Sequence, residues 1–378
     1  MGYQDKLGVY RVGDFKFYSK LEAIEMHAKT GIHPHWDFNE SVFGSYDWTK
    51  EPEQSLTDLY TARAQQLRNK YDYIILMFSG GADSTNIFDT FLSNNIYIDE
   101  VASFQNYSVT NDHNSFCSAE VNQVVRPKIK MLKEKYPWIR HRIIDVGEIA
   151  LDYFSKDSSK DWLYELNSIL CPSGAARESL GLKIKEWRDI IESGRKLCLI
   201  YGSDKPRVFH KNGRYAFTFA DIIDNTCTVK SMAGLQPYTD ELFYWTPDLP
   251  EICIKQAHIV KRYMSQPNIE NAQFITTSPT GLAYSERNGK KYWLDIHGIH
   301  TLVYPTWDIS TFSVGKAGEV LLSPRDTWLF ELSNDHVIKK HWTIGLEKLF
   351  KTLPDYWKND LSNWAKGVKG CISRDYFL

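Results

Sequence analysis

Between residues 55 and 202 the chain alternates near-continuous apolar runs with stretches of helical spacing, a pattern that few folds can absorb. The apolar runs are YIILMF at 73–78, IDEVASF at 98–104, RIIDV at 142–146 and KLCLIYG at 196–202. A strand that is apolar on both faces must be covered on both, which points to a parallel sheet rather than an antiparallel one open to water. Helices are predicted at 55–70, 84–93, 118–135 and 174–193. In the third of these, Val121, Val124, Val125, Ile129 and Leu132 recur at near-helical spacing. The fold class expected is α/β, a Rossmann-like parallel sheet with helices on both faces, plus a short N-terminal α+β region and a mainly helical C-terminal region.

Three regions follow, although no Gly/Ser linker, repeat or low-complexity tract separates them. Residues 1–54 form an α+β extension: a short strand pair in VYRVGDFKFYS, a helix through Leu21, Ile24 and residues 26–28, and the aromatic, turn-rich HWDFNESVFGSYDW. Residues 55–230 carry the alternating pattern. Residues 231–378 form a C-terminal region expected to close over a substrate. It contains the turn WTPDLPE, a helix entered at Pro250 and running to Met264, and a lysine-rich helical end.

No apolar run of 18 residues exists, and MGYQDKLGVYRVGDF has no apolar signal-peptide core. Lys6 stands where a myristoylation motif needs Ser or Thr. A cytoplasmic protein without membrane contact is expected. The six cysteines are scattered with no CxxC, so reduced, mostly buried thiols are expected rather than disulfides or zinc ligands. A net charge of −2 argues against a dominant nucleic-acid surface. The lysines after 339, interleaved with Trp342, Trp357 and Trp364, are the best local candidate for one, and they fit an amphipathic helix pair more simply.

The chemistry concentrates in SGGADS, residues 79–84, between the first apolar run and its helix. In an open parallel sheet, ligands bind beyond the carboxyl ends of the strands. Gly80 and Gly81 allow close approach, so successive N–H groups can point at one anion, and the following helix N-terminus adds free amides. Ser79 and Ser84 supply hydroxyl donors. Asp83 would repel a phosphate unless a divalent cation lay between them, so the stretch implies magnesium together with nucleotide. The simpler alternative makes Asp83 a helix N-cap and the glycines an ordinary turn. No Gly-Lys-Ser/Thr follows, and GxGxxG is absent.

All six positions resemble the Ser-Gly-Gly-x-Asp-Ser signature of the PP-loop ATP pyrophosphatases. The resemblance implies a loop that grips the pyrophosphate end of ATP while an acyl or carbonyl oxygen attacks the α-phosphate. LIYGSDKPRVF, residues 199–209, resembles the Gly-x-Gly-x-Asp element of asparagine synthetases and, more closely, the Tyr-Gly-Ser-Asp-x-Pro run of β-lactam synthetases. It implies Asp204 as the second magnesium carboxylate beside Asp83, a glycine turn at Gly202, and Lys205 or Arg207 against the leaving pyrophosphate. Lys316 in STFSVGKAGEV is matched to a C-terminal lysine of such ligases by order along the chain. The end of the second strand, including Phe104, is expected near the adenine. Gly2-Tyr3 stands where a glutaminase cysteine would follow the initiator methionine, so ammonia from glutamine made in this chain is not expected.

Weaker constellations are His113 and Cys117 in HNSFC, and the paired histidines of GIHPHW and DIHGIH, which read as loops or turns. In CPSGAARES, Arg177 is expected to face the site. The expected activity is Mg-ATP-dependent adenylation of a small acid or carbonyl compound, followed by attack of an amine or ammonia. The alternatives are a PP-loop enzyme modifying a nucleobase or tRNA, and a nucleotide-binding regulatory protein.

Overall fold

The computed structural model describes residues 5–105, 108, 120–156, 162–165, 177–202, 206–221, 227–266, 284–287, 290–293, 302–306, 332–352 and 371–378. At the N-terminal end, β1 (Val9–Val12) pairs antiparallel with β2 (Phe15–Phe17) and with β3 (His35–Asp37). Helix α1 (Lys20–Thr30) links β2 to β3, and α2 (Glu40–Phe43) follows. The strand pair and α1 match the expectation, whereas β3 and α2 fall in the stretch read as turns.

Helix α3 (Leu56–Lys70) starts at Ser55, whose hydroxyl accepts the Asp58 N–H at 3.1 Å, and carries Arg68 and Lys70 in its last turn. It leads into β4 (Tyr73–Met77), α4 (Ala82–Ser93) and β5 (Glu100–Gln105). A π-helical turn (Glu120–Val125) runs into α5 (Arg126–Lys135), followed by β6 (Arg140–Asp145), α6 (Val146–Phe154) and α7 (Trp162–Glu165). Pro127 lies in the first turn of α5 and supplies no backbone N–H, which is why the expected continuous helix changes register there.

Helices α8 (Leu180–Lys183) and α9 (Lys185–Glu192) divide at Ile184, whose backbone is extended. Strand β7 (Leu197–Tyr201), the hairpin β8 (Val208–Lys211) with β9 (Arg214–Phe217), α10 (Val229–Met232) and β10 (Thr239–Leu242) come next. The remaining described elements are α11 (Glu251–Met264), the pair β11 (Tyr284–Arg287) and β12 (Lys290–Trp293), α12 (Val337–Thr352) and β13 (Tyr376–Phe377). Pro250 sits at the entry to α11, as the sequence suggested.

The central sheet has the order β10-β7-β4-β5-β6, and every pairing in it is parallel. This is a Rossmann-like α/β arrangement. Every residue of β4 and of β7 is buried, in keeping with their unbroken apolar sequence. The chain builds β4, β5 and β6 outward in one direction and then returns to place β7 on the other side of β4. The sheet therefore reverses direction between β4 and β7, and their carboxyl ends form the crevice where such sheets bind ligands.

The fifth strand escaped the sequence reading because TDEL carries two acids. Both are buried and both have partners: Asp240 accepts a hydrogen bond from Ser231 Oγ, and Glu241 meets Arg63 at 2.7 Å. Beyond residue 230, then, the chain still contributes to the central sheet.

HWDFNESVFGSYDW supplies a core rather than a surface loop. Phe43 packs tilted against Phe219 at 4.5 Å, Trp48 stacks on Tyr376 at 4.5 Å, and Phe219 meets Trp245 edge-on at 5.0 Å. The chain end returns to the same place, where β13 pairs with β9. Buried Asp221 accepts the Cys371 N–H at 3.0 Å and the Tyr10 hydroxyl at 3.1 Å, and pairs with Lys20 at 2.6 Å. Cys198, Cys227, Cys253 and Cys371 are buried and form no disulfide; Cys117 and Cys171 lie outside the described residues. Among the described residues no helix is long and apolar enough to cross a membrane.

Candidate active site

Strand β4 delivers Ser79–Gly80–Gly81 to the switch point, and α4 begins at the next residue. Gly80 has φ +73°, and a Cβ there would lie 2.7 Å from Val124 Cγ1 of the π turn, so both backbone and space call for glycine. Gly81, not Asp83, is the N-cap, and no side chain caps the helix. Asp83 belongs to the first turn of α4, so the simpler reading of Asp83 as the cap is excluded. The Gly81 N–H donates to Ser79 Oγ at 3.3 Å, and the Ser79 and Ser84 hydroxyls lie 3.4 Å apart. Two hydroxyls and the uncapped amides of α4 are thereby gathered at one point.

The end of β7 meets this turn. At Gly202 a Cβ would fall 2.8 Å from Asp83 Cβ and 3.2 Å from the Ser84 nitrogen. Any larger residue would drive β7 away from α4. The glycine of the second sequence element is thus packed against the aspartate of the first, a contact between positions far apart in the chain.

Together these residues line a cavity of about 210 Å³. Its polar end is Ser79, Asp83, Ser84 and Gly202. Its wall is Ala102, Ser103 and Phe104 from β5, with Val121 and Val125 from the π turn. Among the described lining residues Asp83 is the one carboxylate and Arg177 the one cation. Arg177 is buried, with its guanidinium 5.7 Å from the Phe104 ring centre, which agrees with the expectation that it faces the site. Ser103 donates to the Phe78 carbonyl at 2.6 Å and lies 3.2 Å from His141 Nε2. Burial, together with Lys133 and Arg126, pushes the His141 pKa down to about 4, so the ring is neutral at pH 7.

Two groupings were not foreseen. The first lies behind Asp83, where three buried tyrosines from separate segments converge. Tyr244 donates to the Asp83 carbonyl at 2.9 Å and accepts from Asn86 at 2.9 Å. Its ring is 5.1 Å from that of Tyr304 and 5.3 Å from that of Tyr60, and the Tyr304 hydroxyl faces the Asp83 carboxylate. In the second, Tyr201, at the cavity end of β7, lies close to the buried carboxyl of Asp240, which also neighbours the Ser231 hydroxyl. Burial raises the Asp240 pKa to about 7, against the opposing pull of Ser231 and Arg177. No local motif announces either grouping, because each is made by strands and loops that only the fold brings together.

Ser79, Gly80, Gly81, Asp83, Ser84, Phe104 and Gly202 are brought together as expected. Arg207 is buried beside the β8-β9 hairpin, where its carbonyl accepts the Thr218 N–H at 3.3 Å; it is not among the described residues lining the cavity. Asp204, Lys205 and Lys316 lie outside the described residues, as do His113, Cys117, His297 and His300. In GIHPHW, His33 stacks on His27 at 4.7 Å and His35 pairs with Glu40 at 2.9 Å, which is ordinary local packing.

One carboxylate, two hydroxyls and the amides of the loop are groups of the kind that fit a magnesium-bound nucleotide. Among the described residues no group of three or more His, Cys, Asp or Glu side chains could hold an ion. Magnesium, however, commonly takes one or two carboxylates and fills its other positions with water and substrate phosphates. The cradle kept clear by Gly80 and Gly202, with Asp83 at its edge, has that form. No protein-family model and no curated protein sequence matches this chain.

Proposed function

We propose that this protein is a Mg-ATP-dependent adenylating enzyme of the PP-loop type. It would transfer AMP to a carboxylate or carbonyl oxygen, release pyrophosphate, and let an amine or ammonia displace AMP, in the manner of an asparagine synthetase-like amide ligase. The observation that carries this reading is the place of SGGADS: the carboxyl end of the central strand, at the point where the sheet reverses direction, with Gly202 pressed against Asp83.

In this reading the amides of Gly80 and Gly81 and the hydroxyls of Ser79 and Ser84 hold the β- and γ-phosphates. Magnesium, held by Asp83 and by Asp204 as its second carboxylate, would neutralise the charge that grows on the departing pyrophosphate. Phe104, Val121 and Val125 seat the base and keep water from the activated oxygen. Arg177 supplies positive charge at the same wall, where it can steady a phosphate or the acceptor's carboxylate.

The test is pyrophosphate release from ATP and magnesium in the presence of pools of acids, amines or RNA. Release with an acid and an amine is expected. A requirement for RNA or a free base would replace the ligase reading with nucleobase modification. ATP binding without release from any pool would point to a regulatory protein instead.

A further inference from the structure

Behind the loop, two side chains control which way its central peptide faces. The Gly80 carbonyl accepts a hydrogen bond from Thr85 Oγ1 at 3.2 Å, and Thr85 Oγ1 accepts one from Lys128 Nζ at 2.9 Å. An ammonium group donates and never accepts, so Thr85 must receive from Lys128 and turn its own proton toward Gly80. The carbonyl and N–H of a trans peptide point in opposite directions. Holding the Gly80 oxygen toward Thr85 therefore aims the Gly81 N–H the other way, to the side where Ser79 Oγ lies at 3.3 Å and lines the cavity.

Thr85 is 2% exposed, so bulk water does not compete for its hydroxyl. Lys128 comes from α5 and is drawn toward Asp89, one turn along α4 from Thr85. Val124, on the turn that leads into α5, fills the space above Gly80. One face of the α5 segment thus sets both the position and the direction of the loop.

We infer that Lys128 and Thr85 are positioning residues for the phosphate loop, a relay that locks the Gly80–Gly81 peptide with its N–H turned to the cavity before pyrophosphate arrives. The inference rests on the reading of SGGADS as a phosphate cradle. Its physical value is preorganisation: a donor already aimed does not have to be reoriented when the ligand binds.

The experiment measures binding of pyrophosphate and of Mg-ATP by calorimetry without turnover, alongside the melting temperature, for Thr85→Val, Thr85→Ser and Lys128→Met. Lys130→Met, at an exposed lysine of the same helix, serves as a charge control that leaves the relay intact. Thr85→Val is expected to weaken pyrophosphate binding about tenfold, the scale of one hydrogen bond to a charged group, while Thr85→Ser stays within about twofold of the unaltered protein. Lys128→Met is expected to weaken binding as well, and the Thr85→Val/Lys128→Met double variant to bind no worse than Thr85→Val, because both act through one peptide. Undiminished binding in Thr85→Val, or effects of the two changes that simply add, overturns the relay. If Thr85→Val does not fold, Lys128→Met against Lys130→Met decides: equal binding in those two also overturns it. Pyrophosphate binding that survives Ser84→Ala and Asp83→Asn unchanged removes the cradle reading itself, and the relay falls with it.

Discussion

The two ends of the central sheet are built on opposite rules. Toward the amino ends of its strands, charge is matched inside the protein. Glu241 lies 2.7 Å from fully buried Arg63, 2.6 Å from Lys6 and 3.0 Å from Lys70, and Asp248 meets Lys6 at 2.5 Å. Burial alone would raise the Glu241 pKa, but Arg63, Lys6 and Lys70 together hold it well below the usual carboxylate range. At the carboxyl ends, between β4 and β7, the space is kept by glycines at 80, 81 and 202, and the polar groups are hydroxyls, amides, Asp83 and Arg177. The first arrangement is a clamp joining α3, β10 and the N-terminal segment. The second gathers donors around an open cavity.

Changes at the two ends should fail in different ways. The largest effect expected is from Asp83→Asn, which should slow pyrophosphate release on the order of a thousandfold and leave the melting temperature near that of the unaltered protein. An unchanged rate would remove Asp83 from the chemistry. Arg63→Met should do the reverse. Leaving Glu241 buried beside an apolar side chain should cost about 3–5 kcal/mol in urea unfolding, with ATP affinity per folded molecule intact; a loss of affinity without loss of stability would erase the distinction between the two ends.

Gly202→Ala sits between these extremes. The new methyl would meet Asp83 Cβ, so a cost of about 1–3 kcal/mol is expected, together with weakened Mg-ATP binding. A variant as stable as the parent, with normal affinity, would show that β7 and α4 are not pressed together.

The smallest effects are slopes with pH. The folded state holds His141 near 4 against an ordinary 6.5, so the unfolded chain binds more protons between those values and stability should fall as pH drops through that window. Asp240 runs the other way: its carboxyl titrates near 7 in the fold against an ordinary 3.8, so stability should fall as pH rises from about 4 to about 7. Melting curves should show His141→Gln gaining on the parent below pH 6.5 and Asp240→Asn gaining above pH 4. Parallel curves for either variant would contradict the environment assigned to that residue.

Much of this was legible in the chain itself, for reasons that differ from element to element. Strands β4 and β7 announced themselves because burial on both faces demands an unbroken apolar run, and SGGADS stood out because its residue types are needed at adjacent positions. Strand β10 could not be read, since Asp240 and Glu241 are acceptable in a buried strand only once Ser231 and Arg63 are known to face them. The aromatic segment 35–48 looked like turns because its partners, Phe217, Phe219 and Tyr376, lie some 170 residues or more further along.

By itself, then, the sequence determined the alternating α/β pattern, the four apolar strands and the loop that ends the first of them, because periodicity and local turn chemistry act over a few neighbouring residues. Only the tertiary structure decided the strand order that puts β7 beside β4, the contact of Gly202 with Asp83, the tyrosines behind that carboxylate, and the relay from Lys128 through Thr85 to Gly80. Apart from the Thr85–Gly80 bond, those contacts join positions at least 43 residues apart. Chain neighbours cannot encode such a contact, because its energy exists only after the sheet has closed and water has left.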